Sequence, residues 1–310
     1  MIQLPSLPPN SLEGQVVLVT GAYGGLGEAV CRAVAEAGAA VGGPSPIWWR
    51  VGPALVVSLA LQIGVNYAND YSDGVKGTDN EYRIGPERAL QSGKISPKQM
   101  RNAIVFNVIL CLILVTSLIY SAFGSEQFIT SIVFIILGVL AIIAAIKYTV
   151  GASAYGYKAL GDVMVFLFFG WLSVLGTYFL YSKQIDFLML LPASSIGLLS
   201  AGVLNLNNMR DIESDRLSNK QTLAGYFGFK RAKLYQLVLV GVAMLFIGFY
   251  SFLNLNSSWY LILIAFVPFF VHINSVRKSK APIEFDPQLK VLALSTFLLA
   301  TVFSICHILI

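Results

Sequence analysis

The chain has 310 residues, 56% of them hydrophobic and 12% charged, and its mean hydropathy is +0.72. That balance lies far outside that of a soluble globular domain, and points to a chain that lives in a bilayer. The formal net charge of +5 comes from basic residues gathered in loops, so it reads as a topology signal and does not call for nucleic acid.

In chain order the first element is atypical. Residues 12–41, "LEGQVVLVTGAYGGLGEAVCRAVAEAGAAV", read as a strand, a Gly-rich turn and an amphipathic helix. The turn, Thr20-Gly21 followed by Gly25 and Gly27, resembles the opening unit of a short-chain dehydrogenase, whose glycines let phosphates approach a helix N-terminus. After Gly43 the chain reaches apolar sequence within a few residues, leaving no further strands for a sheet, so NAD is not an expected cofactor. Tyr226 and Lys230 have a Tyr-x-x-x-Lys spacing, but they read as part of a short loop flanking the membrane, where the match is coincidental. Either the segment is foreign to the rest of the chain, or residues 16–42 stand in for a first transmembrane helix. The second option places Glu28, Arg32 and Glu36 on one helix face, at about 2.5–3.5 kcal/mol per charge in mid-membrane. The glycine spacing and the charged face favour the foreign segment. The expected organisation is therefore residues 1–46 as an atypical N-terminal segment and residues 47–310 as a transmembrane domain.

Eight apolar stretches follow, at residues 51–69, 102–122, 128–148, 162–181, 186–208, 233–253, 257–275 and 288–309. Each is about the 17–25 residues that an α-helix needs to span hydrocarbon. They are too long and too evenly apolar for barrel strands, so the fold class is all-α, a polytopic helical bundle. Cys31, Cys111 and Cys306 are scattered without a CxxC pair and read as buried thiols, and His272 and His307 read as packing residues within late spans.

With alternating spans, eighteen Lys and Arg fall in the connections on one face, against Lys183 and Arg50 on the other. Basic loops mark the cytoplasmic side. The expected location is the cytoplasmic (inner) membrane, multi-pass, with the motif-bearing face toward the cytoplasm.

Immediately after the first span comes "NYANDYSDGVKGTD", residues 66–79. On a helix Asn66, Asp70 and Asp73 stack on one face. A similar pattern returns in "NLNNMRDIESDRLSNKQTLA", where Asn207, Asp211 and Asp215 are spaced i, i+4, i+8 at the end of another span. Carboxylates at a helix C-terminus oppose the macrodipole, so two such clusters are not ordinary helix ends. Four carboxylates converging in a partly apolar pocket would repel one another unless cations neutralised them. Oxygen donors without His or Cys select a hard ion, and Mg²⁺ suits carboxylates that share it with substrate phosphates.

Such a site at a membrane surface suits a substrate with a diphosphate head and a lipid tail. Lys76, Arg83, Arg88, Arg210 and Lys220 are candidate phosphate contacts. Loss of diphosphate from an allylic chain leaves a carbocation that aromatic faces can shelter. Tyr148, Tyr155 and Tyr157 in "KYTVGASAYGYKALGD" are the candidates, with Lys158 and Asp162 near an acceptor.

Together "NYANDYSDGVKGTD", "RIGPERALQSGKIS", "YTVGASAYGYKALGD" and "NNMRDIESDRLSNKQTLA" resemble the UbiA-type membrane prenyltransferases from about residue 47 to the end. The resemblance implies that Asn66, Asp70, Asp73, Asn207, Asp211 and Asp215 hold two Mg²⁺ and the diphosphate, with the four aspartates as the catalytic set. It also implies a polyprenyl diphosphate donor and an aromatic acceptor, with "RIGPERALQSG" and "YGYKALGD" indicating dihydroxynaphthoate. The expected reaction is prenyl transfer with loss of carbon dioxide, a step of menaquinone synthesis. The alternatives are another aromatic acceptor, or a secondary transporter using carboxylates within a bundle. The family pattern has nine transmembrane helices with acidic motifs after the second and sixth, whereas here they follow the first and fifth clear spans.

Overall fold

The computed structural model describes residues 48–77, 87–124, 127–151, 154–254 and 259–308. The segment at residues 12–41, with its Gly-rich turn and its alternative reading as a first helix, lies outside them, as do Cys31 and Arg83. Among the described residues there are eight long helices and no extended strand; an isolated bridge joins Lys158 and Gln221.

The long helices are α1 (Trp48–Lys76), α2 (Pro97–Phe123), α3 (Phe128–Thr149), α4 (Gly161–Ser182), α5 (Leu190–Arg210), α7 (Leu223–Asn254), α8 (Leu261–Lys278) and α9 (Asp286–Ile308). A short helix, α6 (Ile212–Leu217), joins α5 to α7. Helices α2 to α5 and α7 to α9 are all long and apolar enough to cross a bilayer. Helix α1 has 29 residues, about 43 Å at 1.5 Å per residue. The chain is an all-α polytopic membrane bundle.

The helix boundaries follow local chemistry. Pro97 opens α2 behind Ser96, whose hydroxyl accepts from the Gln99 amide while the Gln99 side chain accepts from the Ser96 amide, a capping box. Gly77, at φ 72°, sits where α1 stops. Helix α7 begins ten residues before the apolar stretch that predicts it, with a break at Gly228 (φ 72°, ψ 162°). Tyr226 and Lys230, expected in a loop, therefore lie in its first turns, both exposed. A helix satisfies its own backbone, so it continues past the apolar stretch while Lys230 and Arg231 stay exposed.

Helix α5 is the centre of the bundle, and most of its residues are buried. Small residues let neighbours approach its backbone. A Cβ on Gly170 of α4 would lie 2.7 Å from the Ala193 carbonyl and from the Gly197 Cα, so the two helices cross backbone to backbone there. Within α4, residues Phe166–Leu172 form a π-helical turn at that crossing. The Ser195 hydroxyl donates to the Ala243 carbonyl of α7 at 2.9 Å. Lower in the same interface a buried polar chain crosses four helices. The Asn205 amide donates to Gln236 at 2.9 Å, Gln236 lies 3.2 Å from His272 Nε2, and His272 Nδ1 lies 2.9 Å from Gln288. Because Gln236 accepts from Asn205 with its oxygen, its amide donates to Nε2, leaving His272 neutral with its proton on Nδ1. His272 is thus the buried packing residue expected from the sequence.

Candidate functional site

The site assembles at one end of the bundle, where α1, α3 and α5 finish and α4 and α7 begin. Both acidic motifs occur where the sequence places them. The last turns of α1 carry Asn66, Asp70 and Asp73. Helix α5 ends at Arg210, and Asp211, at φ −97° and ψ 16°, is the joint to α6. Helical spacing survives this joint, because the Asp211 amide donates to Asn207 at 3.0 Å and the Asp215 amide to Asp211 at 2.8 Å. The stacking predicted from i, i+4, i+8 spacing thus persists across two helices.

The α1 end is pinned to α3. Ser72 Oγ donates to the Thr149 carbonyl, Lys76 Nζ donates to the same oxygen at 2.6 Å, and Thr149 Oγ1 donates to the Ala68 carbonyl at 3.3 Å. Asp73, 5% exposed, accepts from the Tyr157 hydroxyl at 2.6 Å and lies 3.4 Å from an Arg88 guanidinium nitrogen. Asp70 accepts weakly from the Leu90 amide at 3.4 Å. The loop that carries Arg88 thereby lies over the first motif. Asn66 is exposed, whereas the neighbouring Asn69 has a buried Oδ1 without a hydrogen-bond partner. Counting i, i+4, i+7 from Asn66 passed over Asn69, although Asn69 lies four residues before Asp73 and was available as a signal.

The second motif is more deeply enclosed. Arg210 reaches both oxygens of Asp211, at 2.9 and 2.7 Å, together with Asp286 Oδ1 at 2.7 Å and Asn207 Oδ1 at 2.8 Å. Its guanidinium is engaged with side chains of this protein, so Arg210 stabilises the carboxylate cluster. Asp215, 3% exposed, pairs with Lys220 at 3.2 Å through Oδ1 and leaves Oδ2 buried and unpartnered. Burial pushes the Asp215 carboxyl up to about 6 despite Lys220, with repulsion from Asp211 and Asp73 adding to it. Burial also opposes the charge on Lys220, but Asp215 and Asp73 outweigh it and raise the ammonium above its ordinary value.

The two motifs meet through Tyr157. While its hydroxyl holds Asp73, its ring lies 4.0 Å from Lys76 Nζ and 5.8 Å from Lys220 Nζ, and Lys220 holds Asp215. The loop carrying Tyr157 is fixed by backbone bonds to the loop after α6, with the Ala159 amide donating to Gln221 at 2.9 Å and the Gln221 amide to Tyr157 at 3.2 Å. Lys158 contributes backbone to this seam and its side chain is exposed. Tyr148 and Tyr155 stack edge to face with centroids 5.5 Å apart, and the Tyr155 hydroxyl donates to the Ala144 carbonyl at 2.6 Å. Burial pushes the Tyr155 phenol up to about 12, so it remains a neutral donor. Asp162, 4% exposed, begins α4 and also has a buried, unpartnered Oδ1. Tyr235 of α7 hydrogen-bonds its carboxylate, a partner too distant in sequence for spacing to reveal.

Three buried oxygens without partners, on Asn69, Asp162 and Asp215, therefore occur in residues at this end of the bundle. Such atoms are unfavourable unless a ligand or ion completes them. Among the described residues no three His, Cys, Asp or Glu side chains close around one point as a ready-made metal cage. Instead Arg88, Arg210 and Lys220 stand against the carboxylates, in the neutralising role that the sequence assigned to bound cations.

Fold and site define a multi-pass α-helical membrane protein whose polar centre is built from two aspartate-bearing helix ends. A family described as the UbiA prenyltransferase family matches residues 32–306. The chain belongs to the UbiA prenyltransferase family, and it is a prenyltransferase. Its relatives include a 1,4-dihydroxy-2-naphthoate octaprenyltransferase of Escherichia coli, 39% identical over 238 residues that cover 76% of this chain and 77% of that one. A protein of the same name from Haemophilus influenzae is 39% identical over 81% of each chain. Another, from Mycobacterium tuberculosis, is 35% identical over 86% of this chain and 87% of that one.

Proposed function

We propose that the protein transfers a polyprenyl chain from its diphosphate to 1,4-dihydroxy-2-naphthoate, with loss of carbon dioxide, in menaquinone synthesis. The observation that carries the reading is the junction of the two acidic motifs through Tyr157, with unused buried oxygens on Asn69 and Asp215. Three relatives named for the naphthoate reaction, each matched over most of its length, supply the acceptor. The site faces the cytoplasm of the inner membrane, on the charge asymmetry of the loops. Residues 47–310 form the prenyltransferase domain, and residues 1–46 an atypical N-terminal segment.

The chemistry of these oxygen donors suits a hard divalent cation such as Mg²⁺. Asp70, Asp73, Asp211 and Asp215, with Asn69 as a neutral oxygen, would hold it, and the diphosphate and water would complete its shell. When bound, the ion offsets charge on the departing diphosphate. The chain's own residues do the rest. Lys76, Arg88 and Lys220 attract the diphosphate and stabilise it as it leaves. Tyr148 and Tyr155 present aromatic surface for the allylic cation. Tyr157 binds Asp73 and lies between two ammonium groups, so its function is to join the motifs.

The test uses membranes containing the full chain, a labelled polyprenyl diphosphate, and dihydroxynaphthoate or hydroxybenzoate. Transfer to the naphthoate is expected, lost in EDTA and restored by Mg²⁺. Asp70→Asn or Asp211→Asn should lower kcat by roughly 10²- to 10³-fold. Activity in EDTA, or normal turnover in either variant, would sink the metal-site reading.

A further inference from the structure

Asp162 differs from the other buried carboxylates at this end of the bundle. Asp73 faces Arg88, Asp211 is clasped by Arg210 and Asp215 pairs with Lys220, whereas among the described residues no basic side chain forms an ion pair with Asp162. Its neighbours are phenolic. Tyr235 donates to its carboxylate. The Tyr148 hydroxyl passes so close to the preceding residue that a Cβ on Gly161 would lie 3.0 Å from it. Tyr148 is in turn within electrostatic reach of Asp162, Asp73 and Asp215 together, so Asp162 shares this neighbour with both acidic motifs. The unpartnered Oδ1 is buried, and a bare carboxylate oxygen in that setting calls for a hydrogen-bond donor from outside the chain. A diphosphate offers acceptors and would be repelled. A hydroxyl on an aromatic ring offers the donor, and the flanking tyrosine rings suit the ring that carries it.

We propose that Asp162 Oδ1 is the base that takes the proton from the hydroxyl of the aromatic acceptor. The inference rests on the prenyl transfer proposed above and adds a residue and an atom to it. As the O–H bond breaks, its proton passes to Oδ1 and its electron pair forms a C=O bond. The ring π pair then forms the new bond to the allylic carbon, and the pair of the breaking C–O bond leaves on diphosphate. Attack at the carboxylate-bearing carbon beside that C=O gives a β-keto carboxylate. Loss of carbon dioxide returns the bond pair to the ring, and the regenerated phenolate takes the proton back from Asp162. Protons and electrons balance, and no further reagent is required. Tyr235 acts as a positioning residue, fixing the carboxylate so that Oδ1 faces the acceptor.

The test compares wild type with Asp162→Asn in membranes, using the acceptor and its methyl ether at that hydroxyl. Removing a general base costs about 10²- to 10⁴-fold, so kcat with the free hydroxyl should fall within that range. The KM for prenyl diphosphate and the Mg²⁺ requirement should stay unchanged. With the ether, which has no proton to give, both proteins should react at the same low rate. Wild-type kcat in Asp162→Asn, a further loss when variant and ether are combined, or a raised Mg²⁺ requirement would each overturn the inference. Should Asp162→Asn fail to bind prenyl diphosphate, Tyr235→Phe decides: a lower kcat confined to the free hydroxyl supports the base, and an unchanged kcat overturns it. Transfer by wild type to hydroxybenzoate in place of the naphthoate overturns the acceptor reading alone, and the same comparison on that acceptor then judges Asp162. No transfer by wild type to any acceptor overturns the proposed reaction and this inference together.

Discussion

The two aspartate motifs occupy corresponding helix ends but are held by different means. The second is enclosed by its own neighbours: Arg210 grips Asp211 in a bidentate pair and reaches Asp286 at the start of α9, and Lys220 follows Asp215 by five residues. The first relies on distant parts of the chain. Asp73 is held by Tyr157 from the α3–α4 loop and Arg88 from the loop before α2, and Asp70 has a single weak contact with that loop. The contrast extends to the helices behind them. Helix α5 is buried along most of its length against α4, α7 and α9, while α1 keeps several large apolar residues, among them Leu59 and Ile63, exposed. One motif is preorganised by a rigid core and the other is assembled by loops, an arrangement that suits a site whose second half stays fixed while the first admits substrate.

The largest effect should come from removing the clasp of the second motif. Arg210 is 4% exposed and balances Asp211 and Asp286, so Arg210→Met leaves carboxylates unpaired. Breaking one partner of a buried ion pair costs about 3–5 kcal/mol, a loss readable by thermal or denaturant unfolding in detergent. The equivalent change in the first motif, Arg88→Met, removes a more exposed partner at 3.4 Å and should destabilise by about 1 kcal/mol or less. Equal losses would erase the distinction between a preorganised and an assembled motif.

Protonation sharpens the same comparison. Asp215 is held at about 6 in the folded protein, against an ordinary 3.8, first by burial and then by Asp211 and Asp73. The folded chain therefore binds this proton more tightly than the unfolded chain. Its contribution to stability is present below about pH 4 and is lost as pH rises through about 6. Cation binding needs the opposite state, so kcat/KM for the prenyl diphosphate should rise by roughly tenfold per pH unit up to about pH 6 and then level off. Stability of the ligand-free protein should fall over the same window. Asp215→Asn should flatten both profiles, and unchanged profiles in that variant would assign the titration to another group.

Effects smaller than loss of the Arg210 clasp should come from the seam between the motifs. Tyr157→Phe keeps the ring between Lys76 and Lys220 but removes the bond to Asp73. A hydrogen bond to a charged group contributes about 1.5–3 kcal/mol, so a loss of about tenfold or more in kcat/KM is expected. Lys158→Ala, which alters an exposed side chain and keeps the backbone bridge, should change activity by no more than about twofold. A large loss there would return Lys158 to the acceptor site that its sequence position suggested.

The sequence by itself determined the class and the chemistry. Uninterrupted apolar runs can satisfy their backbones in lipid only as helices, so the all-α bundle followed from composition and length. The repeated Asn-Asp-Asp pattern at helix spacing gave both carboxylate clusters, because residues four apart share a face wherever the helix goes. Tertiary structure decided what those local rules cannot reach. Helical spacing counted from Asn66 grouped Asn66 with Asp70 and Asp73, but packing left Asn66 exposed and buried the Asn69 oxygen. Arg210 read as a phosphate contact until the arrival of Asp286, 76 residues later, completed its carboxylate partners. Tyr157 read as a shelter for a cation until Asp73, 84 residues earlier, claimed its hydroxyl. Each of these depends on which helix ends meet, and that is set by close packing of small residues such as Gly170 against Gly197, a contact between distant segments that periodicity within one segment does not encode.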